Sequence, residues 1–203
     1  MNVDDPFRLS LLVLVAVFMP LGLYHRLRAH TGEKIDRWQE GAVILFGLRL
    51  TALAIFVAGI AWLINPAWMA WSSVPLPVAL RWMGVAIAVC GAVVWVWAVH
   101  HLGKNLTDTV VTRRQHFLVT TGPYGWVRHP FYVGCVLVLL GVSLAMANWF
   151  ILLASSIAWF AFLLPRTRIE EQKLLERFGD DYRSYMRRVG RFLPRPGPLG
   201  DGT

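Results

Sequence analysis

Charge is scarce in this chain. Asp, Glu, Lys and Arg make up 16% of its 203 residues, against roughly 25% in soluble domains. An ordinary water-facing surface is therefore excluded. Cysteine is scarcer still: Cys90 and Cys135 are the only two. Both lie within apolar runs, where a thiol behaves as a small apolar side chain, so neither a disulfide framework nor a cysteine-based metal site is encoded. There is no internal repeat, no low-complexity tract, no Gly-x-Gly-x-x-Gly and no phosphate-cradling loop, so nothing marks a soluble nucleotide-binding domain. The first apolar run follows Asp4 and Asp5 instead of a basic leader, and no small-residue cleavage pattern follows it. It reads as a retained span, not a signal peptide.

What the chain has in abundance is apolar sequence, 56% of residues. It falls into five runs, at 7–24, 41–64, 78–99, 131–146 and 149–164. A bilayer core about 30 Å thick takes about 20 helical residues, so the last two, joined only by Ala147 and Asn148, predict a short helical hairpin. Pro66, Pro75 and Pro77 break the chain between the second and third runs. The expected fold class is all-α: a single integral membrane domain over 1–203, a bundle of about five transmembrane helices with a cytoplasmic C-terminal helical segment.

Basic residues orient the bundle. Of the 20, 17 lie between runs one and two, between runs three and four, or after run five. The loops at 65–77 and 147–148 hold none, which predicts the N-terminus outside and the C-terminus in the cytoplasm. The net charge of +8 is then a basic cytoplasmic skirt facing anionic lipid, and no nucleic-acid partner is needed to account for it. Arg49 lies inside the second run, where it either snorkels to the headgroups or lines a polar cavity.

The remaining polar chemistry is concentrated in two stretches, 115–132 (QHFLVTTGPYGWVRHPFY) and 166–194 (RTRIEEQKLLERFGDDYRSYMRRVGRFLP). The expected hairpin brings the start of run four beside the end of run five, so His129 and the Glu170–Glu171 pair meet across it. Pro130 suits a first helical turn, and the amides after it favour an anion. Arg128 and His129 add donors, and Tyr124, Trp126, Phe131 and Tyr132 add flat faces able to cover a ring or a cation. Glu170 and Glu171 are expected to begin a helix that Gly179 ends. An interfacial anchor accounts for aromatic and arginine residues at such a boundary, but it requires neither the histidine nor the glutamate pair held against it.

GPYGWVRHPFYVG, followed after two short spans by EEQKLLERFGDDYRSYMRRVGRFLP, resembles the isoprenylcysteine carboxyl methyltransferase family, related to the phospholipid N-methyltransferases. The likeness covers about residues 102–194. With five spans and an apolar Phe117 in the loop, the chain is similar to the family's prokaryotic branch. The resemblance implies binding of S-adenosyl-L-methionine without a Rossmann domain and without a metal. It implies cofactor contacts from His116, Phe117, Leu118, Val119, Tyr124, His129, Pro130, Phe131, Tyr132 and Glu170. Helical spacing alone does not choose between Glu170 and Glu171. Arg166 matches the position facing the methyl acceptor, a lipophilic, isoprenylcysteine-like carboxylate taken from the bilayer. A phospholipid or a small lipophilic thiol or amine is the alternative acceptor. Two other readings are an NADPH-dependent membrane sterol-type reductase and a non-enzymatic membrane protein.

Overall fold

The computed structural model describes residues 3–29, 41–103 and 117–195. These form six α-helices: α1 (Asp5–Ala29), α2 (Ala42–Ile64), α3 (Val78–Leu102), α4 (Pro130–Ala145), α5 (Trp149–Ile157) and α6 (Leu164–Arg188). Among the described residues the pairing of extended backbone is limited to two isolated bridges, Ser73 with Asn148 and Val127 with Gly190. Four helical stretches, Asp5–His25, Ala42–Ile64, Val78–Leu102 and Trp149–Arg188, are long and apolar enough to cross a membrane, and Pro130–Ala145 is a shorter apolar helix. The outward faces carry bare apolar side chains such as Phe46, Leu50, Leu53, Phe56 and Val57. Such a surface suits lipid rather than water.

The centre of the bundle is the α3–α4 pair. Gly84 and Gly91 of α3 face Gly141 and Gly134 of α4. A methyl group on Gly84 would come within 2.7 Å of the Gly141 carbonyl oxygen, and one on Gly91 within 2.9 Å of the Gly134 oxygen. Ala88 and Ala92 lie buried in the same seam. Small residues at this spacing let two backbones touch, and where lipid removes the hydrophobic drive for association, packing and dispersion hold the pair together. α1 lies along α3, and α2 along α5.

At the end remote from residues 117–132, arginines bind helix termini. Arg8 of α1 donates from Nε and Nη2 to the Leu63 carbonyl at 3.1 and 2.9 Å and from Nη2 to Ile64 at 2.9 Å, satisfying carbonyls that the end of α2 leaves open. Arg81 is 6% exposed. It donates to the Ala145 carbonyl at 2.9 Å and to Asp4 at 2.7 Å, and its guanidinium lies 4.0 Å from the Phe7 ring centre.

The C-terminal half corrects one expectation. Glu170 and Glu171 do not begin a helix but lie inside one already under way, whereas Gly179 does interrupt it, with non-helical backbone at φ +50° and ψ −120°. α5 runs through a π-helical turn, Ala158–Leu163, directly into α6, so the helix is continuous from 149 to 178, and a second helical stretch runs from beyond Gly179 to Arg188. The wider turn immediately precedes Pro165, whose ring would crowd the carbonyl four residues back in a regular α-helix. Gly179 kinks the chain. The helix then resumes because Tyr182, Tyr185 and Val189 bury themselves against Leu118, Leu174, Leu175 and Phe178. The local stop signal holds at Gly179, and tertiary burial starts the helix again beyond it.

Candidate active site

Three segments converge where α4 begins. The first is the loop leading into it. Gly122 adopts φ +60°, and a side chain there would collide with the ring of His101. The chain turns through Gly122–Gly125 and buries Pro123 and Tyr124. Pro130 occupies the first position of α4, with His129 at the cap, where a missing N–H costs nothing.

The second segment is α6. Its Tyr185 hydroxyl donates to the Tyr124 carbonyl at 2.6 Å. The third is the strap after α6. Its Gly190 carbonyl accepts from the Arg128 amide at 2.8 Å, and its Arg191 carbonyl accepts from the His129 amide at 3.1 Å. The Arg128 side chain donates to the Val189 carbonyl at 2.7 Å. Phe192 of the strap lies between the rings of His129, 5.7 Å away, and Trp159, 5.1 Å away.

Glu171 is the hub of the three. It is 8% exposed and accepts from Arg128 Nε at 3.0 Å, His129 Nε2 at 3.1 Å and Arg191 Nη2 at 2.9 Å. Burial works against its charge, but the hydrogen bond and proximity of His129, together with Arg128, hold its carboxyl below the usual range. It stays an acceptor at neutral pH.

Glu170, one residue earlier, is arranged differently. Its Oε2 is buried yet has no hydrogen-bond partner among the described residues. The nearest charged neighbour is His129 Nδ1 at 3.8 Å, too far for a hydrogen bond. Tyr132 directs its phenol at the same carboxylate, and Arg166 lies near that phenol. Burial, then the nearby Glu170, push the Tyr124 phenol well above its ordinary pKa, so it remains a neutral donor.

The expected site residues are thus distributed unevenly. His129, Tyr132, Glu170 and Arg166 are gathered around one point. Tyr124 borders it, and Pro130 is buried beneath it. Phe131 turns to Trp95 of α3, with ring centres 6.0 Å apart. Leu118 packs under Tyr182 and Tyr185; Val119 is half-buried and Phe117 exposed. His116 lies outside the described residues. Sequence reasoning missed the strap, Arg191 and Phe192, and the division of labour between the two glutamates. The pattern of alternating charge in α6 carries no sign of either.

Among the described residues no group of three or more His, Cys, Asp or Glu could hold a metal ion. Arg49 is exposed on α2.

Comparison with known proteins places the same region. Residues 83–176 match the family model described as the isoprenylcysteine carboxyl methyltransferase (ICMT) family. The protein-S-isoprenylcysteine O-methyltransferase of Tribolium castaneum is 32% identical over 120 residues, covering 57% of this chain and 43% of that protein. The enzyme of the same name from Saccharomyces cerevisiae is 32% identical over 114 residues, covering 55% and 48%. The human one is 32% identical over 113 residues, covering 55% and 40%. A solved structure of the eukaryotic intramembrane Ras methyltransferase ICMT superposes with a TM-score of 0.56 at 30% identity, covering 72% of this chain and 51% of that one. The chain spans about half the length of the curated relatives it matches.

Proposed function

From the match of residues 83–176 to the isoprenylcysteine carboxyl methyltransferase family, we propose that the chain is a member of that family and a membrane methyltransferase. It takes S-adenosyl-L-methionine as donor and a lipophilic carboxylate of the isoprenylcysteine kind as acceptor. The observation that carries the reading is the buried, unpartnered Oε2 of Glu170, directed to the space beside His129 and Tyr132. A buried carboxylate oxygen without a donor is costly, and an ammonium or a ribose hydroxyl satisfies it.

The residues present suit the donor. Glu170 would take its ammonium or ribose, the faces of Tyr124 and Tyr132 would lie near its cationic sulfur, and the half-buried Leu118 and Val119 would border its base. When bound, S-adenosyl-L-methionine supplies a methyl group made electrophilic by the sulfonium. Transfer to a carboxylate needs no general base, so the chain's task is to orient and to exclude water. Arg166, one helical turn before Glu170, would hold the acceptor carboxylate in line. A fixed cation does this without reorganising during the reaction. The distribution of basic residues supports placing the site on the cytoplasmic side, with the N-terminus outside.

The test is methyl transfer from S-adenosyl-L-methionine carrying a labelled methyl group, in detergent or liposomes, to N-acetyl-S-farnesylcysteine, with phosphatidylethanolamine and a long-chain thiol in parallel. Label that alkali releases as methanol marks an ester and supports the carboxylate acceptor. Alkali-stable label on the phospholipid or thiol would move the acceptor to those classes. Retention of a nicotinamide dinucleotide without methyl transfer would overturn the reading.

A further inference from the structure

The two adjacent glutamates are used in opposite ways, and the difference has a consequence for His129. Glu171 is ionised and can only accept, so the ring nitrogen facing it, Nε2 at 3.1 Å, carries the proton. In the neutral ring Nδ1 is then a lone pair. It faces Glu170 Oε2 at 3.8 Å. Were Nδ1 a protonated donor, the two would close to roughly 2.8 Å as a charge-assisted hydrogen bond. A gap of 3.8 Å with no bond suits two acceptors held side by side, waiting for a donor with at least two N–H groups.

We infer that Glu171 is a positioning residue: by holding the Nε2–H of His129 it turns the Nδ1 lone pair toward Glu170, so that the two form an acceptor pair for a ligand ammonium group. The inference rests on the methyl-donor reading for the identity of that ammonium. Neighbouring elements fix the geometry. The strap holds the His129 amide through the Arg191 carbonyl. The rings of Phe192 and Tyr132 both pack near the imidazole, with centres 5.7 and 5.6 Å away. Arg128 and Arg191 each donate to a different oxygen of Glu171, which pins the plane of the carboxylate. Arg191 therefore acts twice, through its carbonyl on the His129 backbone and through its guanidinium on the group that sets the His129 tautomer. In metal sites, partners that fix a ligand's tautomer in this way are typically worth 10- to 100-fold.

The experiment pairs two measurements on the full chain in detergent. The tautomer of His129 is read from nitrogen-15 shifts after selective histidine labelling, its signal assigned by its loss in His129→Asn. Affinity for S-adenosylhomocysteine is read by calorimetry. Wild type is expected to show protonated Nε2 and bare Nδ1. Glu171→Gln, whose amide oxygen still accepts from Nε2–H, should keep that tautomer and lose less than about tenfold in affinity. Glu171→Met should scramble the tautomer and lose about 10- to 100-fold.

A wild-type ring that is protonated on Nδ1, or a folded Glu171→Met with unchanged tautomer or affinity, would overturn the inference. If Glu171→Met does not fold, Glu171→Gln decides: loss of binding as complete as in His129→Ala, with the tautomer intact, refutes it. Should wild type not bind S-adenosylhomocysteine at all, the methyl-donor reading falls, while the wild-type tautomer still tests the role of Glu171.

Discussion

Glu170 and Glu171 have the same chemistry and neighbouring positions, yet the fold gives them separate tasks. On a helix adjacent side chains diverge by about 100°. One carboxylate therefore turns into the gap between α4, α6 and the strap, and the other toward the Nδ1 side of His129. Glu171 is tied to three donors, whereas Glu170 is 31% exposed over its side chain with one oxygen buried and unsatisfied. The expected effect of Glu170→Gln is accordingly on binding and not on folding. A charge-assisted hydrogen bond to a ligand is worth about 1.5–3 kcal/mol, so affinity for S-adenosylhomocysteine should fall about 10- to 100-fold. The melting temperature should move by no more than about 2 °C, since the amide oxygen of glutamine can still accept from the Tyr132 phenol. Calorimetry alongside a thermal melt checks both. An unchanged affinity would remove Glu170 from the site.

At the scale of elements, the local signals were read well where they were local. Pro130 at a helix start, the Pro75–Pro77 break before α3 and the hairpin at Ala147–Asn148 all appear where turn and cap chemistry put them. So does the meeting of His129 with a glutamate, at 42 residues' separation, because the hairpin dictates it. What was not legible depends on distant packing. The π turn before Pro165 and the resumption of the helix beyond Gly179, where a buried tyrosine pair packs, are of this kind. The strap at 189–192 has no periodicity, and only its pairing with Val127, Arg128 and His129 gives it shape. The burial of Arg81 between the Ala145 carbonyl and Asp4 is likewise a matter of distant packing, and nothing in the sequence singles it out.

The α3–α4 seam yields the prediction that belongs at this scale. In Gly141→Leu, Cβ alone already meets the Gly84 carbonyl and the Ala88 backbone. The helices must separate along their whole contact, so a loss of about 3 kcal/mol or more is expected from overpacking. Gly59→Leu, on α2 with open space at its Cβ, should cost less than about 1 kcal/mol. Thermal or chemical denaturation in detergent distinguishes the two, and equal losses would mean the seam is not the centre of stability.

Across the whole molecule the outer helices are shared out differently at the two ends. Remote from the site, α1 and α2 meet in one apolar cluster in which Phe7 and Leu11 join Ala58 and Trp62, closed off by Ala145, Met146 and Ile151. Toward the site they part company. Gly22 of α1 lies against Trp95 of α3, while Gly47 of α2 lies against Phe162 in the π turn. On the proposed reading, a lipophilic acceptor would approach between these two pairs, sideways from the leaflet on the site's side, near Trp95, Phe131 and Phe162. A soluble substrate would have no use for such a route, but a prenyl chain gains about 0.8 kcal/mol for each methylene kept out of water and would lose that by leaving the bilayer. A photoactivatable farnesyl probe is expected to label the site-side halves of α2 and α4 and the π turn, and an excess of N-acetyl-S-farnesylcysteine should suppress the labelling. Enlarging the gap with Phe162→Ala should leave affinity for S-adenosylhomocysteine within about twofold and shift the preferred acceptor toward bulkier chains, because the change removes one ring from the path and nothing from Glu170 or His129. Label confined to the 65–77 loop at the opposite end would refute lateral entry. A Phe162→Ala variant with unaltered chain-length preference would exclude the π turn from the acceptor's path.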